Sequence, residues 1–272
     1  MIIKKLLTFK EITLLSLSVI MPAFKADTTL APALASIAAQ GMSPAQLEVI
    51  IAADDGRDYG RFRRIWPNLR LAPRYAYRSG PGATRNRGMA LARGHLIAFL
   101  DADDCWGPGY LTEMMPLARA HGLAFARSHV HAPDGQLLTT LGPTSRWLRQ
   151  ADFGAWPGSF HPMVKAGVSP GFDTGPAQDV LHAMRLVDAA GGRARLADRT
   201  FYKINLRQGS VTADPRFGHK VDCRYRTMML AFSHPEARQA LMQRRHWNRR
   251  WLDAGQHENG FYGFFAHETA KN

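Results

Sequence analysis

The stretch Ile97-Ala-Phe-Leu-Asp-Ala-Asp-Asp104 joins an apolar run to three carboxylates. The apolar half predicts a buried strand, and the acidic half follows at its carboxyl end. Alternate side chains of an extended chain point the same way, so Asp101 and Asp103 can converge on one ion. Carboxylate oxygens are ligands that suit Mg²⁺ or Mn²⁺. Taken alone, the motif also fits a solvated strand end at which Asp104 caps a following helix.

Outward from this stretch, the chain between residues 16 and 126 alternates short apolar runs with helix-like segments. The alternation is typical of βαβ units around a parallel sheet and predicts an α/β fold. The predicted strands are Leu17–Met21, Leu47–Ala52, Arg70–Tyr75 and Leu96–Leu100, and the predicted helices between them are Thr29–Ala39 and Thr84–Ala92. Ligands of such sheets bind beyond the carboxyl ends of the strands. We therefore expect Ala23–Asp27, Asp54–Asp58 and Asp101–Asp104 around one crevice.

The pattern is looser after residue 125. His129–Gln136 contains Pro-Asp-Gly and predicts a hairpin turn. A helix is predicted over Ala177–Ala190 and a strand pair around Arg199–Ile204. From Val221 onward the sequence predicts basic helices, followed by a Gly- and Phe-rich tail.

Composition places the chain among ordinary globular proteins. It has 272 residues, 46% of them hydrophobic, and a formal net charge of +13, which implies an anionic partner such as nucleotide phosphates, nucleic acid or a lipid surface. Its two cysteines, Cys105 and Cys223, lie far apart without metal-binding spacing. This usage predicts free thiols in a reducing cytoplasm.

The amino terminus loosely imitates a secretory signal, with Lys4 and Lys5 ahead of an apolar stretch. Lys10 and Glu11 interrupt that stretch, and Leu17-Ser-Val-Ile-Met-Pro22 has the pattern of a buried first strand. No run reaches the roughly 20 apolar residues of a membrane-spanning helix. We therefore expect a cytoplasmic protein that is soluble, or peripheral at the inner face of the plasma membrane.

Three further motifs suit a nucleotide. Val49-Ile-Ile-Ala-Ala-Asp-Asp-Gly56 ends a second apolar strand in carboxylates, which can accept the imide N–H of uracil. Pro22-Ala-Phe24 places an aromatic ring after the first strand, where a base can stack. Gly80-Pro-Gly-Ala-Thr-Arg-Asn-Arg-Gly88 opens a helix with two arginines, which can hold phosphate oxygens.

The chain closely resembles the family 2 glycosyltransferases, which have the GT-A fold. The resemblance rests on four motifs in the family's order and spacing: Ser18-Val-Ile-Met-Pro-Ala-Phe24, Ala53-Asp-Asp-Gly56, Ala83-Thr-Arg-Asn-Arg-Gly88 and Phe99-Leu-Asp-Ala-Asp-Asp104. It implies a Rossmann-like, mostly parallel sheet flanked by helices. Residues 1–215 would form the catalytic domain, with a nucleotide-sugar-binding part at 16–126 and an acceptor-binding part at 127–215. Residues 216–272 would form a basic helical extension.

The resemblance also implies roles for the residues of these motifs. Asp55 would bind the base, Pro22 and Phe24 would flank it, and Arg85 would lie near the diphosphate. The donor would be a nucleotide-sugar, often a UDP-sugar, and the sugar would be transferred with inversion at the anomeric carbon.

A divalent ion, Mn²⁺ or Mg²⁺, is implied with Asp103 as its principal ligand. Asp101 would lie beside the ribose or the water shell of the metal. Such an ion and Arg85 could stabilise the negative charge of a departing nucleoside diphosphate. Arg207, in Tyr202-Lys-Ile-Asn-Leu-Arg-Gln-Gly-Ser210, stands where the family often has His. We expect Arg207 to approach the diphosphate rather than bind metal, although a plain surface loop fits nearly as well.

Inversion needs a base for the acceptor hydroxyl, which the family takes from a Glu-Asp pair before a helix. The corresponding stretch is Gly171-Phe-Asp-Thr-Gly-Pro-Ala-Gln-Asp179, where Gln178 replaces Glu and Asp179 keeps the position of the base. Asp179 is the predicted general base, and Asp173 is the alternative. A helix-capping role for Asp179 is the competing interpretation.

Two other groups of residues have no assigned role. Gln243-Arg-Arg-His-Trp-Asn-Arg-Arg-Trp251 is a basic helix with two tryptophans on one face, which suits either an anionic membrane surface or packing on the catalytic domain. His129 and His131 can share a strand face, as metal ligands or, more commonly, as surface residues. His161 could line an acceptor cleft, and Trp156 is predicted to pack in the core.

The leading hypothesis is an inverting hexosyl- or N-acetylhexosaminyl-transferase that acts on a saccharide or lipid-linked acceptor in cell-surface polysaccharide synthesis. A nucleotidyltransferase is disfavoured because no Gly-rich basic loop follows the first strand. A nucleic-acid-binding function is disfavoured because the sequence contains no recognisable nucleic-acid-binding module. A non-catalytic nucleotide- or sugar-binding protein is disfavoured by the intact Asp101, Asp103 and Asp179.

Overall fold

The computed structural model of the chain describes residues 15–74, 78–207, 214–255 and 259–271. The strands in these ranges are β1 (Leu17–Ala23), β2 (Leu47–Ala53), β3 (Leu69–Leu71), β4 (Leu96–Phe99), β5 (Cys105–Trp106), β6 (Leu123–His131), β7 (Leu137–Leu141), β8 (Trp147–Arg149), β9 (Met163–Lys165) and β10 (Arg193–Asn205). The α-helices are α1 (Leu30–Ala38), α2 (Pro81–Met89), α3 (Tyr110–His121), α4 (Asp152–Ala155), α5 (Gln178–Ala189), α6 (Pro215–Met228), α7 (Pro235–Ala254) and α8 (Gly260–Thr269). Short 3-10 turns occur at Gly60–Arg64 and Met229–Ala231. The stretch from Lys4 to Glu11, which imitates a secretory signal, lies outside these ranges, whereas the first strand predicted at Leu17–Pro22 is β1.

All these strands belong to one sheet, in the order β3-β2-β1-β4-β9-β6-β10-β5, with β7 beside β6 and β8 beside β10. The first four strands in this order are parallel, whereas β9 runs antiparallel to both β4 and β6. β6 and β10 are again parallel. The predicted α/β class is confirmed, and β9 joins a parallel half of the sheet to a mixed half.

The first strands follow directly from their apolar runs. Every residue of β2 and β4 is buried, as expected for central strands that are covered on both faces. The third strand is shorter than predicted, ends at Leu71, and its predicted end at Tyr75 lies outside the described residues. Helix α2 begins at Pro81 rather than Thr84, because Gly80 takes a left-handed φ of 87° and Pro81 has a φ suited to a first helical turn.

The second half of the chain also follows its predicted pattern. The hairpin is confirmed, with His131 opposite Leu137 across the Pro-Asp-Gly turn. Helix α5 lies within one residue of its predicted bounds at each end. The predicted strand around Arg199–Ile204 is part of the longer β10. The Gly- and Phe-rich tail is the helix α8, and five of its ten residues are buried, so it belongs to the packed structure.

The tryptophans of α7 contact the aromatic residues of α8. Trp251 is 3% exposed and meets Phe261 edge-on, with ring centroids 5.8 Å apart. Trp247 is half-buried and meets Phe265 in the same way at 4.8 Å. The packing interpretation of this helix therefore accounts for both indoles. None of the helices within the described ranges is both long and apolar enough to cross a membrane.

A buried carboxylate lies under the parallel half of the sheet. Glu48 of β2 is fully buried and accepts hydrogen bonds from Ser18 Oγ at 2.7 Å, Arg70 Nη1 at 2.8 Å and Arg93 Nη2 at 2.9 Å. Burial by itself raises the pKa of Glu48, but the hydrogen bonds from Arg70, Ser18 and Arg93 outweigh it, and the pKa lies below its ordinary value. The ionised form is therefore the stable one in the folded chain.

Glu48→Gln should lower the melting temperature at neutral pH. It should also make the melting temperature fall less steeply as the pH is lowered. A carboxylate whose pKa is lowered by folding stabilises the protein above its unfolded pKa, and this contribution is lost as the pH falls from about 5 to 3. Thermal unfolding monitored by circular dichroism from pH 7 to pH 3 measures both effects. Glu236→Gln changes an exposed acid of α7 and should keep the wild-type slope. Equal slopes in Glu48→Gln and wild type would contradict the assignment.

Candidate active site

A cleft of about 240 Å³ opens at the carboxyl ends of β1, β2 and β4, beside the start of α2. Its walls come from the three loops that the parallel topology places together. Five of the predicted site residues line it: Pro22, Phe24, Asp101, Asp103 and Arg207. The structure therefore assembles in one cavity residues that are up to 185 positions apart in the sequence.

Asp55 is not one of the residues that line this cleft. Its carboxylate accepts hydrogen bonds from the backbone N–H of Lys25 at 2.6 Å and from the hydroxyl of Tyr59 at 2.9 Å. Burial, with the contribution of Asp55, raises the pKa of Tyr59 to about 12, so the phenol remains a neutral donor. Asp55 thus fixes the loop that carries Phe24. Its predicted contact with a base stays a prediction.

Asp54 is a site residue that the sequence analysis did not single out. It is 5% exposed and accepts hydrogen bonds from the backbone N–H groups of Ser79 at 2.9 Å and Gly80 at 2.8 Å. These contacts fix the loop that enters α2. The sequence contains a signal for this second role. Adjacent residues of an extended chain point to opposite sides, so the side chains of Asp54 and Asp55 are expected to have different partners.

Arg85 and Asp101 form the central ion pair of the site. Arg85 is 3% exposed on α2 and donates from Nη2 to Asp101 Oδ1. Asp101 Oδ2 lies 3.2 Å from His161 Nε2. Burial alone raises the pKa of Asp101, but Arg85 and His161 outweigh it and hold this pKa below its ordinary value. Asp101 is therefore ionised and held from two sides.

The acidic motif groups differently from the sequence expectation. Asp101, Asp104 and His161 each offer a ligand atom, and these atoms lie within 4.8 Å of one another. Asp103, the predicted principal ligand, instead pairs with Arg207, whose Nη2 lies 2.7 Å from Asp103 Oδ2. Arg207 thus reaches the cleft, as expected. The predicted role of Asp103 toward a metal stays a prediction.

Asp104 does not cap a helix. It is 6% exposed, accepts a hydrogen bond from the backbone N–H of Asn205 at 2.9 Å, and is followed by β5. Burial, and then the charges of Asp103 and Asp101, raise the pKa of Asp104 well above its ordinary value. An added cation would relieve this repulsion. Carboxylate oxygens and an imidazole form a donor set that fits Mn²⁺ or Mg²⁺.

The two candidate bases have different surroundings. Asp179 lies in the first turn of α5, and its Oδ2 accepts a hydrogen bond from the backbone N–H of Phe160 at 3.2 Å. Asp173 Oδ2 lies 2.7 Å from Arg224 Nη2 and 3.9 Å from Arg185 Nη2. Both arginines occupy the carboxylate of Asp173, whereas the carboxylate of Asp179 meets a backbone N–H. Asp179 is therefore the better placed of the two.

The three histidines noted in the sequence have different surroundings. His129 stacks on Phe201 with ring centroids 3.8 Å apart, and His131 Nδ1 lies 2.9 Å from the carbonyl oxygen of Gly135. His161 is 5% exposed and stacks flat on Tyr202 at 3.8 Å. Of these three, only His161 contacts the acidic motif within the described ranges. Sequence gave no signal for this contact, because sixty residues separate His161 from Asp101.

Comparison with known proteins places residues 18–140 in the sequence family described as "Glycosyl transferase family 2". A UDP-Glc:alpha-D-GlcNAc-diphosphoundecaprenol beta-1,3-glucosyltransferase of Escherichia coli is 29% identical over 111 residues, which are 40% of this chain and 43% of that protein. The chain thus spans less than half the length of this curated relative.

Two solved structures share the fold. One is TarS of S. aureus in complex with UDP-GlcNAc, with a TM-score of 0.63 and 19% identity over 85% of this chain and 72% of that one. The other is a mannosyltransferase of Pyrobaculum calidifontis in complex with GDP-Man and Mn²⁺, with a TM-score of 0.60 and 17% identity over 94% of this chain and 74% of that one. The predicted fold is confirmed by these likenesses, which at such identities concern the fold alone.

Proposed function

We propose that this chain, which belongs to glycosyl transferase family 2, transfers a sugar from a nucleotide-sugar to a saccharide or lipid-linked acceptor in polysaccharide synthesis. The observation that carries the proposal is the single cleft that contains Phe24, Asp101, Asp103 and Arg207 at the carboxyl ends of the parallel strands. An aromatic ring, carboxylates and a guanidinium in one cavity match the base, metal and diphosphate of such a donor. We assign the catalytic unit to residues 1–215 and the helical extension to 216–272.

The proposed donor is a UDP-sugar. Phe24 offers its ring to the base, and the guanidinium of Arg78 lies 4.5 Å from the centroid of that ring. Arg207 lines the cleft beside Asp103 and can move to an arriving diphosphate. The UDP-GlcNAc bound by the structurally similar TarS supports this choice of nucleotide.

Asp101, Asp104 and His161, with Asp103 at the rim of the cleft, are the residues that would hold Mn²⁺ or Mg²⁺. When bound, such an ion stabilises negative charge on the leaving diphosphate. Arg85 supplies a second positive charge, fixed in place by Asp101.

The proposed reaction is a single displacement with inversion. Asp179 takes the proton of the attacking hydroxyl, the hydroxyl oxygen forms a bond to the anomeric carbon, and the bond from that carbon to the diphosphate breaks. The backbone N–H of Phe160 holds the Asp179 carboxylate while it acts. This arrangement requires the acceptor to enter between α5 and the donor cleft.

Calorimetry with a panel of nucleoside diphosphates tests the donor class. We expect UDP to bind more tightly than GDP or ADP and binding to strengthen with Mn²⁺. Phe24→Ala should weaken UDP binding by about 5- to 100-fold, the range of a lost base–aromatic stack. Binding of DNA without binding of any nucleotide would sink the proposal.

Trp147→Ala is the matched control for this experiment. Trp147 is also a half-buried aromatic side chain with arginine partners, Arg193 and Arg195, whose guanidinium carbons lie 4.6 and 4.7 Å from its ring. It does not line the cleft. UDP affinity should therefore remain at the wild-type value, and an equal loss in both variants would indicate general damage rather than a lost base contact.

A further inference from the structure

Arg244 is a buried cation in the middle of α7. It is 3% exposed, and among the described residues no carboxylate forms an ion pair with it. Its Nε donates to the hydroxyl of Tyr225 at 3.0 Å. Its two terminal nitrogens donate to backbone carbonyls of α4 and of the connection that follows it, those of Phe153, Trp156 and Gly158.

This arrangement costs free energy, because a buried guanidinium is stable only when its donors are satisfied. The rings of Phe160 and Tyr225 lie 5.5 Å from its central carbon and add cation–π attraction. The planar fork of Arg244 can meet the three carbonyls only when residues 153–158 keep one conformation. Arg244 therefore acts as a template for this segment.

The segment continues directly into the candidate active site. The backbone N–H of Phe160 donates to Asp179 Oδ2 at 3.2 Å, and His161 Nε2 lies 3.2 Å from Asp101 Oδ2. One residue separates Gly158, which Arg244 holds, from Phe160. A shift of residues 153–158 would thus move the Phe160 N–H, which contacts Asp179, and the His161 ring, which contacts Asp101.

We propose that Arg244 is a positioning residue of the transfer reaction. It fixes residues 153–158, and through them it sets the Phe160 N–H and the His161 ring against Asp179 and Asp101. The inference rests on the proposed function. It makes α7, which lies outside the part matched by the family, a required component of the catalytic site.

The neighbouring arginine provides a matched control. Arg245 lies on the same helix, but its Nε pairs with Asp222 of α6 at 2.9 Å and it contacts no residue of the 153–158 segment among its hydrogen bonds in the described ranges. Arg244→Lys and Arg245→Lys keep the charge and remove the fork in the same helix. Only the first should affect the site.

The first measurement is steady-state transfer with UDP-sugar, together with the Kd of UDP without added metal. In Arg244→Lys we expect kcat to fall by about 10- to 100-fold, the effect of a small misplacement of reacting groups. The Kd of UDP without metal should stay within about 2-fold of wild type, because none of the hydrogen bonds of Arg244 in the described ranges reaches a residue that lines the donor cleft. Arg245→Lys should match wild type in both.

The second measurement is amide hydrogen exchange, which does not depend on activity. The Phe160 amide should exchange faster in Arg244→Lys, whereas the Leu181 amide, bonded to the Ala177 carbonyl oxygen at 3.1 Å, should keep its rate. Faster exchange at both amides alike would mean that Arg244 only stabilises the fold and would overturn the proposal. So would an unchanged Phe160 amide with wild-type kcat.

If Arg244→Lys does not fold, Tyr225→Phe removes the acceptor of Nε and should shift the Phe160 amide in the same direction by a smaller amount. If wild type binds no nucleotide and transfers no sugar, the proposed function fails, and the exchange experiment still decides whether Arg244 controls the Phe160 amide.

Discussion

Asp179→Asn should reduce the rate of sugar transfer by about 10²- to 10⁴-fold, the range assigned to a positioned general base. The amide keeps the size of the side chain and an oxygen that can accept from Phe160 N–H, but it cannot take the proton of an acceptor hydroxyl. Initial rates of UDP release in the presence of acceptor measure the loss. The Kd of UDP should be unchanged, because Asp179 does not line the donor cleft.

Asp173→Asn is the control for this change. Asp173 belongs to the same connection before α5, but its carboxylate is held by Arg224 and Arg185. We expect its transfer rate to remain within about 10-fold of wild type, below the loss expected for a general base, because its carboxylate is already occupied by two arginines. A wild-type rate in Asp179→Asn together with a large loss in Asp173→Asn would reverse the assignment of the base.

Arg85→Met should lower the free energy of unfolding by about 3–5 kcal/mol, the cost of leaving the partner of a buried ion pair alone. Asp101 has a side chain that is 26% exposed, so the lower end of this range is expected. For a domain of this size the melting temperature should fall on the order of 10 °C. Differential scanning calorimetry at neutral pH measures the shift.

Arg146→Met removes the same kind of pair from the surface. Arg146 Nη2 lies 2.9 Å from Asp198 Oδ2, but the two side chains are 66% and 42% exposed. Water screens such pairs, which contribute about 0–1 kcal/mol. A double variant Arg85→Met/Asp101→Asn should recover part of the stability lost in Arg85→Met. Equal melting temperatures for Arg85→Met and Arg146→Met would show that the pair at Asp101 is not specially stabilising.

The apolar strands and the family were predictable because both are local in sequence. β4 is an unbroken apolar run, β1 and β2 are apolar apart from Ser18 and Glu48, and the recognition of family 2 glycosyltransferases is confirmed. Alternation along an extended strand, however, fails after Phe99, where β4 ends. The backbone N–H of Asp104 then donates to the carbonyl oxygen of Asp101 at 3.1 Å, so the chain turns. Beyond this turn, a ligand atom of Asp104 and one of His161 lie within 4.8 Å of one on Asp101.

Contacts across long stretches of sequence were not predictable. The Tyr202 hydroxyl accepts a hydrogen bond from the backbone N–H of Asp101 at 3.0 Å, and His161 Nε2 lies 3.2 Å from Oδ2 of the same residue. No local period of hydrophobicity encodes either approach, because both depend on the order of strands in the sheet. Arg207 was placed near the cleft only because the family resemblance implied it.

The place of β9 sets where the chain can be cut. β4 and β6 have no ladder between them in the described sheet and are joined only through β9, at Met163–Lys165. A fragment restricted to residues 18–140 would expose two apolar strand edges, which invite pairing between molecules and aggregation. The shortest fragment that keeps the pairing of β4, β9, β6 and β10 extends through β10. A minimal fragment for expression should therefore end beyond residue 205.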